Sequence, residues 1–456
     1  MRTRKVIRFL LIIVILLFIA IVWYAWPRFP LISGYGAKNM ASAYFLQHRS
    51  KADILKEDLN DFPFSLGTFI INESDSSVTG SVWGLANRKA IYRKGIGSTL
   101  VNDFTEQEIK ARSFNLPPKP LVNGDTAVWP NGDIIVDTIP AGVNNTLLQQ
   151  AVSNVMLDSP GNKPAYTRAV LVIYDGQIVS EKYAPGFNEH TVMLGWSVSK
   201  SLIAAMIGVL VKEGKLKLDA PAPVLEWKNT AKENITLKQL LQQTTGLDFK
   251  EEYTGPSEVT NMLFNRGDMA AFTAGLPLKY KPGTIFNYSS GNTNILSRMI
   301  RQTVGEKDYA GFVYRFFHKI NMYSVILEPD ASGTYIGSSY SYATARDFAR
   351  FGLLYYNNGR WNNEQVLPVE WVKESTIASE ADERKHYGYQ FWLNGYDKES
   401  PSQRWYPDAP SDMFFADGYG GQDIYIIPSK KLVVVRLGLH VIDENKFLKE
   451  VIAAFN

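Results

Sequence analysis

The chain contains no cysteine, which excludes disulfides, thiolate metal sites and a cysteine nucleophile, and removes the usual redox clue to compartment. Histidine is scarce as well. His48, His190, His318, His386 and His440 are scattered without metal-ligand spacing, so no metal site is expected and each reads as structural. No H-E-x-x-H, phosphate loop or dinucleotide fingerprint occurs. Neither sign of charge is in excess: 48 Lys and Arg face 45 Asp and Glu, a net charge of +3, and their mixed distribution argues against a nucleic-acid surface. Repeats and low-complexity stretches are absent, and long apolar runs are absent but for one.

That run, FLLIIVILLFIAIVWYAW from Phe9 to Trp26, is about the length needed to cross a hydrocarbon core. Arg2, Arg4, Lys5 and Arg8 precede it, and Trp23, Tyr24 and Trp26 close it. This pattern predicts a basic cytoplasmic tail (1–8), a transmembrane helix (9–26) and an extracytoplasmic body at the cell membrane. A cleaved signal is the alternative. Against it, the run is long for such a signal and the nearest small-x-small site, Ala41-Ser42-Ala43, lies far beyond it.

With 456 residues, the chain has room for one large domain with additions or for two domains. Residues 27–142 mix short strand-like runs (GTFII, SVWGLA, KAIYRK) with prolines at 117, 118 and 120 and a WPNGD turn; they read as a mixed, mainly β extension without a chemical motif. From residue 143 the pattern becomes regular. A helix (NNTLLQQAVSNVM) is followed by two strands joined at Asp175-Gly176, then a mostly helical middle, then the strands DIYIIP and KLVVVRLG and a final helix near Ile442. Strands at both ends predict an α+β domain over 143–456: one antiparallel sheet shared by the two ends, flanked by helices, with a helical subdomain inserted between.

At the head of the helical middle stands Ser197-Val198-Ser199-Lys200. Side chains three apart on a helix share a face, so the Lys200 amine can accept the Ser197 proton if its surroundings keep it neutral part of the time. The apolar spacing of Val198, Leu202, Met206 and Leu210 predicts a helix that stops near Gly214. Ser197 then sits at the helix N-terminus, where unpaired N–H groups favour a developing oxyanion. Taken alone, the four residues fit equally a capping serine and a solvated lysine. A second constellation, KPGTIFNYSSGNTNILSRMI, puts Tyr288 in a polar loop before another helix, and a phenol near Lys200 can pass the nucleophile's proton onward.

These segments, with ITLKQLLQQTTGLDF, YATARDFARFGLLYYNNGRW and ADGYGGQDIYIIPSKKLVVVRLG, resemble in their order the serine β-lactamase and penicillin-binding-protein superfamily. They are most similar to its class C-like esterases and nylon-oligomer (6-aminohexanoate dimer) hydrolases. The resemblance covers about two thirds of the chain. It implies a β-lactamase-like fold, Ser197 as acylated nucleophile, Lys200 as its base and Tyr288 as the tyrosine of the Y-x-N element. Ser290 takes the third position of that element, with Asn292 close enough to supply an amide. Where β-lactamases have K-T-G, this chain has Ala416-Asp417-Gly418. Alanine cannot bind an anionic substrate, so the departure points away from β-lactams and toward esters and amides. The backbone N–H groups of Ser197 and Tyr419 would form the oxyanion hole beside Gly418; the alternative register Tyr419-Gly420-Gly421 moves the second donor to Gln422. Tyr253 would contact the scissile amide. The implied enzyme needs no cofactor and acts on a small ester, amide or short peptide. Two rivals share these residues: a membrane-bound sensor that acylates without turnover, and a peptidase for D-amino-acid peptides of the cell wall.

Overall fold

The computed structural model describes residues 2–120, 126–136, 138–158, 164–400 and 402–455, and only the backbone at 2–5, 18 and 21. The side chains of Arg2, Arg4 and Lys5 therefore lie outside the described residues. The chain divides into two compact units, one comprising residues 1–109 and 250–267, the other 110–249 and 268–456.

The first unit opens with the helix Arg2–Ala25, so the expected tail is helical from its second residue. Its apolar side chains from Val6 onward are exposed, and the run is long and apolar enough to cross a membrane. A second helix, Phe29–Ala41, lies across an antiparallel meander of Gly67–Asn72, Ser77–Val82, Leu85–Arg93 and Gly97–Leu100. The sequence hides this helix behind Pro30, Gly34 and Gly36. Proline falls in the first turn, where its missing N–H costs nothing. At Gly36 a Cβ would come within 2.0 Å of the Phe69 ring, so glycine there permits close packing rather than marking a turn.

The second unit is built on the antiparallel sheet that the sequence predicts from its two ends. Its strands run in the spatial order Trp392–Leu393, Phe414–Gly418, Gln422–Ile427, Leu432–Leu437, Ala169–Tyr174 and Gln177–Tyr183. Central strands such as Leu432–Leu437 are buried throughout, which accords with the apolar run from Leu432 to Val435; the one charged residue, Arg436, is buried with them. One face meets the helices Asn145–Met156 and Glu444–Ile452 through residues such as Leu148, Val434 and Leu448. The other meets the inserted helices Val198–Lys212 and Ala345–Tyr356, and Ser290–Val304 packs on the first of these. There Leu202, Ile207, Phe348 and Ile424 are all but inaccessible, each contributing about 1.5–3 kcal/mol through burial. The result is a helix-sheet-helix sandwich, and its inserted helical layer carries the serine.

Candidate active site

The serine helix Val198–Lys212 begins after a short strand, Met193–Leu194, that pairs with Ser341–Ala343. Between strand and helix Trp196 adopts φ 46°, a left-handed conformation that costs a non-glycine residue roughly 1 kcal/mol or more. Local bonds hold it there: Gly195 N–H donates to Ser341 O at 2.8 Å, and Ser199 N–H to Trp196 O at 3.0 Å. The Ser199 hydroxyl lies 2.6 Å from Trp196 O and 2.7 Å from Ser341 Oγ, and accepts from Ser341 N–H at 3.0 Å. Ser197 occupies the capping position without making a side-chain cap. Its hydroxyl is turned to other use.

That use is contact with Lys200. The lysine is 1 % exposed, and its Nζ lies 2.9 Å from Ser197 Oγ, 3.1 Å from Ser290 Oγ and 3.0 Å from the Ser338 carbonyl. The face of the Tyr288 ring covers the same amine, its centroid 4.7 Å away. Ser290 is delivered by the first turn of Ser290–Val304, which Ser289 caps by accepting from Asn292 N–H at 3.2 Å. Ser338 is held by Asn294, whose amide donates to its hydroxyl at 3.2 Å and accepts its N–H at 3.3 Å. Tyr288 in turn stacks on Trp392 at 5.1 Å and meets Tyr387 edge-on at 5.6 Å. The loop bearing these aromatics is pinned by a buried pair in which His386 Nδ1 lies 2.6 Å from Asp382 Oδ1. Burial opposes ionisation of Asp382, but the His386 hydrogen bond and two backbone N–H groups outweigh it and hold the carboxyl below its usual range.

The opposite wall is the hairpin of Phe414–Gly418 and Gln422–Ile427. Gly418 is packed so closely on the loop that carries Ser197 that a Cβ would lie 2.2 Å from Gly195 O; Gly420 and Gly421, at φ 80° and 76°, make the turn itself. Tyr419 is exposed, with its ring edge-on to Trp196 at 5.8 Å. Behind the turn the fully buried Arg436 donates to the carbonyls of Gly420 at 2.8 Å and Gly421 at 2.7 Å. Gln422 is buried too, and its amide donates to Tyr419 O at 3.1 Å and Gly438 O at 2.6 Å. Its side chain thereby braces the turn. Ala416 shares the serine-helix face of the strand with Phe414, whereas Asp417 pairs across the strands with Asp423, and Asp423 with Arg436. Burial pushes Asp417 up to about 6, against the opposing influence of Asp423 and the Lys200 charge. Burial lifts Asp423 well above the carboxylate range, helped by Glu444 and Asp417.

Ser197, Lys200, Tyr288 and Ser290 thus meet around one nitrogen, and Gly418 abuts the loop that carries the serine. Asn292 is buried nearby, but its amide is engaged by Gln243 at 2.8 Å and Thr245 at 3.0 Å. Tyr253 belongs to the first unit, where it is half exposed and donates to Glu251 at 2.7 Å. The Ser338 carbonyl, Asn294, Arg436 and the Ser199–Ser341 bond are additions that the sequence did not signal. A carbonyl is common to every residue, and no motif singles one out.

Such a fold, with a serine-lysine pair at the head of a buried helix, defines a serine hydrolase architecture. The chain matches the family model described as Beta-lactamase over residues 164–438, and it belongs to that family. It is 24 % identical over 293 residues to a 6-aminohexanoate-dimer hydrolase of Paenarthrobacter ureafaciens, spanning 59 % of this chain and 72 % of that protein. Its fold is similar to that of a penicillin-binding protein homolog from Caulobacter crescentus (TM-score 0.55, 16 % identity, 71 % of this chain and 100 % of that one). A family VIII carboxylesterase is similar to the same extent (TM-score 0.53, 15 % identity, 71 % and 100 %). The chain is accordingly a hydrolase of the β-lactamase fold.

Proposed function

We propose that the protein is a membrane-anchored serine hydrolase that cleaves an ester or amide through an acyl-enzyme on Ser197. The observation that carries this reading is the 2.9 Å contact between a buried lysine amine and the serine hydroxyl. Three acceptors surround that amine, Ser197 Oγ, Ser290 Oγ and the Ser338 carbonyl; once the amine gives up a proton, the lone pair this frees can accept the proton of Ser197. Ser197 Oγ then bonds to the substrate carbonyl carbon while the proton passes to Lys200. Tyr288 and Lys200 return it to the leaving alcohol or amine as the ester or amide bond breaks. The N–H groups of Ser197 and Tyr419 hold the oxyanion, and water releases the acyl group by the reverse route. Close packing of Gly418 on Gly195 supports Tyr419 over Gln422 as the second donor. Ala416 leaves no cation at the K-T-G position, which supports esters and linear amides over β-lactams. The apolar run after four basic residues supports a cytoplasmic N-terminus and an extracytoplasmic catalytic unit.

Replacing the nucleophile provides the test. Ser197→Ala is expected to abolish fluorophosphonate labelling and to lower p-nitrophenyl butyrate turnover by about 10⁴-fold or more; labelling at the wild-type level would overturn the assignment. The wild type is expected to sustain turnover of that ester and to hydrolyse a chromogenic cephalosporin negligibly. A burst of one equivalent without turnover would place the protein with acylating sensors.

A further inference from the structure

We infer that the first unit carries a second membrane contact, the hairpin tip Trp83-Gly84-Leu85, which dips into the phospholipid interface beside the point where the apolar helix ends. The inference rests on the proposed anchoring of that helix and goes beyond it, because an anchor alone says nothing about what else touches the bilayer.

Three observations place the tip at that level. Trp26, at the end of the apolar run, lies 6.3 Å from Phe29, and Phe29 lies 5.4 Å from Trp83, so one ring separates helix end from hairpin tip. Beneath them Phe29, Ile32 and Val82 form a small core against which Ala25 and Phe64 pack, which ties the end of the helix to this end of the meander. The tip itself is built to protrude. Trp83 is 69 % exposed at φ 51°, and Gly84 has open space where a side chain would project. The left-handed turn closes the hairpin, but most of the Trp83 surface is left exposed beside a half-exposed Leu85. Facing lipid headgroups, it extends the aromatic belt of Trp23, Tyr24 and Trp26 sideways. Arg28, whose guanidinium lies 3.5 Å over the Tyr24 ring, adds a cation suited to lipid phosphates. The opposite end of the same strands, the turn at Ser74, is polar, and a six-residue strand carries it roughly 20 Å away.

The absence of cysteine makes the test direct, because an introduced thiol is the sole labelling site. The full chain is reconstituted in phosphatidylcholine–phosphatidylglycerol vesicles as Trp23→Cys, Leu85→Cys, Trp83→Cys or Ser74→Cys, each carrying an environment-sensitive fluorophore, and shallow doxyl-labelled lipid serves as quencher. Esterase activity monitors folding of each variant. Positions 23, 83 and 85 are expected to show blue-shifted emission that the doxyl lipid quenches, and position 74 neither effect. Quenching at 23 with water-like emission at 83 and 85 would overturn the second contact while leaving the anchor intact. Blue-shifted but unquenched emission at 83 and 85 would also overturn it, assigning the tip to a second copy of the chain. Absence of quenching at 23 as well would overturn the anchor, and this inference with it.

Discussion

Two hairpins of the same sheet end in glycine turns, and they are built to opposite specifications. The turn at Asp175-Gly176 has open space around its glycine, and nothing in the site depends on it. It is a connection. The turn at Gly420-Gly421 is clamped from behind by Arg436 and Gln422 and pressed from the front against Gly195. Both use left-handed glycines, and the first is tied as well, Trp129 Nε1 donating to Gly176 O at 3.0 Å, yet only the second adjoins the loop that carries Ser197. The difference follows from the proposed chemistry: an N–H that must meet a developing negative charge is effective only if its direction is set before the reaction.

Four experiments would sharpen or break this contrast. The largest effect is expected from Arg436→Met, which strips a buried carboxyl cluster of its cation and leaves two turn carbonyls unpaired; a loss of about 3–5 kcal/mol in urea unfolding is anticipated. An unchanged midpoint would show that the clamp carries no load. Gly418→Val follows. Its side chain would collide with Gly195 O, and kcat/KM for p-nitrophenyl butyrate should fall about 10²–10³-fold, as for loss of an oxyanion donor. A rate within a factor of two or so of wild type would detach this turn from catalysis.

The third is a pH dependence. Burial holds Asp417 near 6 against an ordinary 3.8, and Glu444 near 7 against 4.5. Between the ordinary and the folded values the native state keeps protons that the unfolded chain has released, so stability is expected to fall as pH rises from about 4 to about 7. Asp417→Asn should flatten that decline in Tm, and an identical slope in the variant would assign it elsewhere. The smallest effect is expected at the other turn: Gly176→Ala puts a Cβ at φ 85°, costing about 1 kcal/mol of stability and leaving esterase activity untouched.

What the sequence disclosed divides along the line between side-chain chemistry and backbone geometry. The serine helix, the Asp175-Gly176 hairpin and the sheet joining both ends of the catalytic unit were legible, because each rests on a local period or a turn residue. Ser197, Lys200 and Tyr288 were named from spacing and motif order, and they meet in space. By contrast the side-chain partners of Gln422 and Asn292 were not legible: the amide of the first is engaged by the turn it follows, and that of the second by Gln243 and Thr245. The helix Phe29–Ala41 was obscured because Gly36 serves the Phe69 ring, a tertiary demand no local pattern carries. Likewise nothing local in Lys250–Gly267 announces that it groups with the first 109 residues.

The pairing of Leu432–Leu437 with Ala169–Tyr174 also bears on timing. These two neighbouring inner strands come from opposite ends of the catalytic unit, so the sheet cannot close until Leu432–Leu437 has been synthesised. Such distant pairings form slowly. The serine helix leaves the ribosome well before the hairpin that faces it, and through that interval the proposed nucleophile lacks its opposite wall. On the proposed mechanism, hydrolytic competence therefore waits for that late pairing.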